Sequence, residues 1–119
     1  MKAPFGEKWQ DVLSFVETAM PNELMVACVD LDSVLLYHDP EDGISRLGPA
    51  LPPGRLLVNL LKLHKYQVWV LTSRPAEQHV GILKHLQWLG FDVDCVTNIK
   101  PPADAYFDDK AFRIAKNWE

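Results

Sequence analysis

The sequence predicts an α/β domain built on a mostly parallel β-sheet with helices packed on it. Three observations carry this expectation. Strand-like apolar segments recur at "LMVACVD" (24–30), "YQVWVLT" (66–72) and "FDVDCVT" (91–97). The first is apolar on both faces, as a central parallel strand is. Segments with apolar residues at helical spacing lie between them, and the order strand, helix, strand, helix, strand calls for right-handed crossovers. Finally, each strand ends on polar residues, and in open sheets of this kind ligands sit beyond the carboxyl ends of the strands.

The elements follow in order. In "EKWQDVLSFVETAM" (7–20), Trp9, Val12, Leu13, Val16 and Met20 stand at helical spacing, and Pro21 ends the run. The first strand follows. Residues 36–52, with "HDPEDG" and the start of "GPALPPG" (48–54), read as turns with a short hairpin. After Pro52 and Pro53, one helical stripe is expected from Leu56, Leu57, Leu60, Leu61 and His64. The second strand, "YQVWVLT", comes next. Pro75 suits the first turn of another helix, with Val80, Leu83, Leu86 and Leu89 facing inward and Gly90 as its carboxyl cap. "FDVDCVT" is the third strand, "DAYFDD" (104–109) a short fourth, and "AFRIAKNWE" supplies one edge strand.

A length of 119 residues fits one domain, here an N-terminal helical extension (1–22) on a core of 23–119. A net charge of −4 argues against a whole-surface nucleic-acid binder, which needs clustered Lys and Arg. Cys28 and Cys95 form no CxxC pair and sit in apolar runs, so both read as small buried hydrophobes. The start "MKAPFGEKWQ" has no signal-like apolar core, and no apolar run approaches the roughly 18 residues of a membrane span. The expectation is a soluble, cytoplasmic protein.

The strand ends raise a chemical question. Asp30 and Asp32 follow the first strand, Thr72 and Ser73 the second, Asn98 and Lys100 the third, and Asp108 and Asp109 the fourth. Four carboxylates in one crevice repel, each pair at about 4 Å by roughly 4 kcal/mol at an intermediate dielectric. A hard divalent cation with oxygen ligands offsets this, and magnesium, which keeps waters and bridges to phosphate oxygens, suits it best. A neighbouring hydroxyl and lysine complete a pocket for a phosphoryl group. A DxD or a DD alone is usually a turn or a cap; it is their combination and order that carry the argument.

These residues carry a resemblance. "VACVDLDSVLL" (26–36) resembles the first motif of the haloacid dehalogenase-like (HAD) superfamily, an apolar strand followed by Asp-x-Asp. "VWVLT" resembles its second motif, "IKPP" its third and "AYFDD" its fourth, in family order across residues 25–110. The resemblance implies a three-layer, Rossmann-like sandwich with four to five strands in the order 3-2-1-4, a fifth at the edge. It also implies a magnesium-dependent phosphomonoester hydrolase working through an aspartyl-phosphate. Asp30 would be the nucleophile and Asp32 the general acid and base. Thr72 and Lys100 would bind the transferring phosphoryl group. Magnesium would be held by Asp30, Asp108, Asp109 and the backbone carbonyl of Asp32. Ser73 and Arg74 would contact substrate, as would His38 and Arg46 from nearby loops.

Two departures from the pattern stand out. Ser33 and Val34 occupy places where many members have Gly-Thr, and only "PPA" separates Lys100 from the fourth strand, leaving no room for the usual helix. Residues 36–52 are too few for a folded cap and 76–96 are used by one helix and one strand, so the resemblance is to the capless branch. Its open site suits a macromolecular substrate or a neighbouring subunit acting as lid; the expected partner is a phosphorylated small molecule or a macromolecular phosphoester, with the N-terminal helix covering a sheet face or building a homodimer. A two-component receiver domain has a similar length and residue types but places its Lys-Pro last, whereas here the DD follows the lysine. The alternative within the superfamily is a catalytically degenerate binding or regulatory protein, against which the intact Asp30 and Asp32 argue.

Overall fold

The computed structural model describes residue 10, residues 25–39, 41 and 46–108, and the backbone of 112–114. Strand β1 (Met25–Asp30) is followed by helix α1 (Pro52–Leu63), β2 (Tyr66–Leu71), helix α2 (His79–Trp88), β3 (Cys95–Thr97), β4 (Ala105–Phe107) and β5 (Phe112–Ile114). They form one sheet in the order β3-β2-β1-β4-β5. The first four strands are parallel and β5 is antiparallel to β4. The expected α/β class, strand order and edge strand are therefore all present. Apart from Gln10, the N-terminal helix read at 7–20 lies outside the described residues, as does Asp109. No described helix is long and apolar enough to cross a membrane.

The register sorts the sheet into two faces. Ala27 pairs with Val68 and Ala105, and Val29 with Val70 and Phe107, and all six are buried. Leu57, Val58 and Leu61 of α1 and Ile82 and Leu86 of α2 join them in one core. Burying each such side chain is worth about 1.5–3 kcal/mol, so this face dominates stability. Both helices lie on it because both crossovers step the same way across the sheet, and a right-handed connection then returns to the same side. Among the described residues the helices thus form a single layer.

The other face carries Cys28, Asp30, Trp69, Leu71 and Tyr106. Here the chain returns from β3 to β4 without a helix, through residues 98–104. Tyr106 fixes this crossing: its hydroxyl donates to the Pro101 carbonyl at 2.7 Å and accepts from the Ala103 amide at 3.0 Å. The Lys100 ammonium lies 4.5 Å from the Tyr106 ring centre. Asp104 then leads into β4, donating its amide to the Val26 carbonyl and accepting the Val26 amide on its carboxylate, both at 2.8 Å. Cys28 and Cys95 both pair with Trp69 across the sheet, so they stand two strands apart, too far to be bridged.

The helical stripes differ from expectation in rotation. In α1 the buried residues are Gly54, Leu57, Val58 and Leu61, while Leu56 is half exposed. In α2 Ile82 and Leu86 are buried, Leu83 and Leu89 pack at the margin, and Val80 points outward. A Cβ on Gly54 would stand 2.1 Å from the Val34 carbonyl oxygen, so α1 rests there directly on the backbone after β1, and this contact sets its rotation. Pro75 precedes a short 3-10 turn, Ala76–Gln78, ahead of α2, and Gly90 adopts φ +92° just past the helix. Beyond Phe91 the third strand is shorter than expected, because only Cys95–Thr97 pair with β2.

Candidate active site

Directly after β1 the chain closes a tight turn. The amides of Leu35 and Leu36 both donate to the Leu31 carbonyl at 3.0 Å, and the Ser33 amide donates to the Leu36 carbonyl at 2.8 Å. Ser33 takes φ +69° to do so, a conformation glycine adopts without steric conflict. The turn explains the renewed apolar character after Asp32: Leu31, Val34, Leu35 and Leu36 are fully buried and fold back into the core. Leu36 then bridges antiparallel to Ala50, the short hairpin read from the sequence. With the apolar residues inward, Asp30 and Asp32 are left at the carboxyl edge of the sheet.

The strand ends meet there. A cleft of about 380 Å³ is lined by Asp30, Leu31, Asp32, Leu71, Thr72, Ser73, Asn98 and Lys100. A smaller hollow of about 220 Å³, lined by Cys28, Asp30, Leu71, Lys100, Tyr106, Phe107 and Asp108, adjoins it. Asp30, Leu71 and Lys100 belong to both and form the wall between them. The missing helix before β4 has a simple consequence: the chain passes beneath β2 and β1, and this route carries Lys100 to the side of Asp30. Proximity of both charges is felt by the buried Cys28 thiol, which is pushed up to about 12 by burial first and by Asp30 next, with Lys100 pulling the other way.

Thr72 is nearly buried. Its amide donates to the Thr97 carbonyl at 2.9 Å, and its hydroxyl oxygen accepts the Arg74 amide at 3.1 Å. With that acceptor engaged, the hydroxyl proton is left to donate into the cleft. Ser73 is exposed at the rim, as are Asn98 and Lys100.

Arg74 takes a place other than the substrate-facing one expected from the sequence. It is 1% exposed, the largest fully buried side chain in the described chain, and does not line the cleft. Its Nε donates to Asp32 Oδ2 at 3.3 Å and an Nη to Asp32 Oδ1 at 3.0 Å. The same Nη donates to the Arg46 carbonyl at 2.9 Å. A buried guanidinium needs such a partner, because an unpaired buried charge is strongly disfavoured. Arg46 thus contributes its backbone to this cluster, and His38 brings its Nδ1 to 3.7 Å from Asp32 Oδ1. His79 stands behind Arg74, its Nε2 at 3.0 Å from the Arg74 carbonyl. A pairing of Arg74 with Asp32 was not legible in either segment alone. The available signal was an arginine two residues past a strand-end threonine, hence beside the first strand's end.

The metal expectation involves four residues, of which Asp30, Asp32 and Asp108 are described. Among the described residues no three His, Cys, Asp or Glu side chains gather closely enough to hold a metal ion. The Asp32 carboxylate is engaged by Arg74 through both oxygens, which does not involve its backbone carbonyl, the expected donor; Asp30 and Asp108, both lining the smaller hollow, are the described carboxylates that fit one. Two carboxylates with waters and a phosphate oxygen are a donor set magnesium accepts. Compared with known proteins, the chain matches no family model, no curated protein and no solved structure.

Proposed function

We propose that this protein hydrolyses phosphomonoesters with magnesium, through a covalent intermediate on Asp30. The observation that carries the reading is the convergence of Asp30, Asp32, Thr72 and Lys100 on one cleft at the carboxyl edge of a parallel sheet.

In this reading an Asp30 carboxylate oxygen attacks phosphorus, and the bond from phosphorus to the leaving oxygen breaks. Asp32 delivers a proton to that oxygen, so the alcohol departs neutral. Water then attacks the aspartyl-phosphate, Asp32 takes back a proton from it, and Asp30 and inorganic phosphate are regenerated. This is covalent catalysis supported by one acid and base. Each Asp32 oxygen accepts one hydrogen bond from Arg74 and keeps a second lone pair for the proton. Thr72 donates to a phosphoryl oxygen and Lys100 balances its charge. Magnesium, held by Asp30, Asp108 and the backbone carbonyl of Asp32, would supply the remaining positive charge the phosphoryl oxygens require.

The test is turnover of an aryl phosphate with and without magnesium by the wild type and by Asp30→Asn. Magnesium-dependent release of phosphate that vanishes in the variant is expected. A folded wild type without turnover at any magnesium concentration, and unable to trap beryllofluoride, would sink the proposal in favour of a binding protein built on the same scaffold.

A further inference from the structure

We infer that Arg74 is a positioning residue, which fixes the Asp32 carboxylate for proton transfer to poor leaving groups. The inference rests on the hydrolase reading above. It starts from what the guanidinium can and cannot reach. Arg74 is 1% exposed and absent from the walls of the cleft, so it meets no substrate. Asp32, by contrast, is a quarter exposed on its side chain and lines the cleft. The charge pair is thus layered: the arginine lies behind, the carboxylate in front.

Three further bonds hold that layer rigid. The Arg74 amide donates to the Thr72 hydroxyl at 3.1 Å, its carbonyl lies 3.0 Å from His79 Nε2, and an Nη reaches the Arg46 carbonyl at 2.9 Å. A short carboxylate on a turn has free rotation about its Cβ–Cγ bond. A planar fork donating to both oxygens removes that rotation and sets the plane of the carboxyl group. Lysine offers a point charge without the fork, so the two cations are not equivalent here. Arg74 also links Asp32 to Thr72, which ties the orientation of the proton donor to that of the phosphoryl-binding hydroxyl.

The role separates from a merely structural one by leaving-group chemistry. A p-nitrophenyl leaving group departs as a stabilised anion and needs little protonation, whereas an alkyl alkoxide needs a proton as it leaves. Positioned acids contribute about 100-fold or more to such a step. Wild type, Arg74→Met, Arg74→Lys, Asp32→Asn and the double variant Asp32→Asn with Arg74→Met would be assayed on p-nitrophenyl phosphate and on an alkyl phosphate. For Arg74→Met the alkyl kcat/KM, which ends at departure of the leaving group and so excludes the water step common to both substrates, is expected to fall roughly 100-fold, and the aryl kcat/KM only a few-fold. Arg74→Lys should recover charge but not orientation and lie between. In the Asp32→Asn background the Arg74 change should add no further selectivity.

Equal losses of kcat/KM on the two substrates would overturn the inference while leaving the hydrolase reading standing. If Arg74→Met does not fold, Arg74→Lys decides by the same ratio of alkyl to aryl kcat/KM. A wild type without turnover of either phosphate overturns the hydrolase reading and this inference with it.

Discussion

Alanine at Gly54 and alanine at Gly81 are the same substitution at the third residue of two helices, yet the structure assigns them opposite signs. Intrinsic helix propensity favours alanine over glycine by about 1 kcal/mol at both. At Gly81 nothing lies within 4 Å of the new Cβ, so the gain should appear undiminished. At Gly54 the new Cβ would meet the Val34 carbonyl oxygen at 2.1 Å and the Leu35 Cα at 2.9 Å. Both neighbours are backbone, and their turn is pinned by the bonds from Leu35 to Leu31 and from Leu51 to Leu35. No side chain can rotate away. An ordinary contact is about 3.5 Å, so α1 must withdraw by roughly 1 Å or more. Over-packing of this kind costs about 1–3 kcal/mol, and rigid neighbours place it at the upper end. Subtracting the propensity gain leaves a net loss of about 2 kcal/mol for Gly54→Ala, against a gain of about 1 kcal/mol for Gly81→Ala. Urea unfolding of the two variants beside the wild type measures the difference. A Gly54→Ala protein as stable as Gly81→Ala would refute the packing of α1 on the turn that carries Asp32. The same displacement should reach the cleft, since a shift of about 1 Å at reacting groups can lower turnover 100-fold.

Two further outcomes follow from backbone and burial. Ser33 holds φ +69°, so Ser33→Gly relieves the left-handed strain and should raise stability by about 0.5–1 kcal/mol after the entropy cost of glycine; a drop in the urea midpoint would contradict the turn geometry. Cys28 is pushed up to about 12, by burial and then by Asp30, and Tyr66 also to about 12, by burial and then by Asp104. The unfolded chain releases these protons from about pH 9 upward while the folded chain keeps them. Stability from this source is therefore complete below pH 9 and is lost as pH rises towards 12. Urea midpoints should fall between pH 8 and pH 11, and Cys28→Ala should flatten the slope; an identical slope in the variant would show that the thiol is not buried as described.

Much of the scaffold was legible in order along the chain. The apolar runs of β1 and β2, the prolines at 52 and 53 that begin α1, and Gly90 at the end of α2 all act through local chemistry, which a sequence states directly. The rotation of the helices was not legible. Leu56 and Val58 are equally apolar, and periodicity fixes the width of a stripe but not the direction it faces. Gly54 settles that by letting the helix rest on the carbonyl of Val34, a contact made by residues 20 positions apart.

The candidate site divides along the same line. By itself the sequence determined the α/β class and which polar residues end each strand, because hydrophobic periodicity and strand-breaking residues are properties of neighbours. Only the tertiary structure decided what those residues do to each other. Lys100 arrives beside Asp30 because a helix-free connection crosses the face of the sheet opposite α1 and α2 and is held there by Tyr106. Arg74, exposed by any composition-based expectation, is buried because Asp32, 42 residues earlier, lies across from it. The physical reason is common to both: the strength of a charge depends on distance and on the water removed around it, and neither quantity exists until the strands are paired.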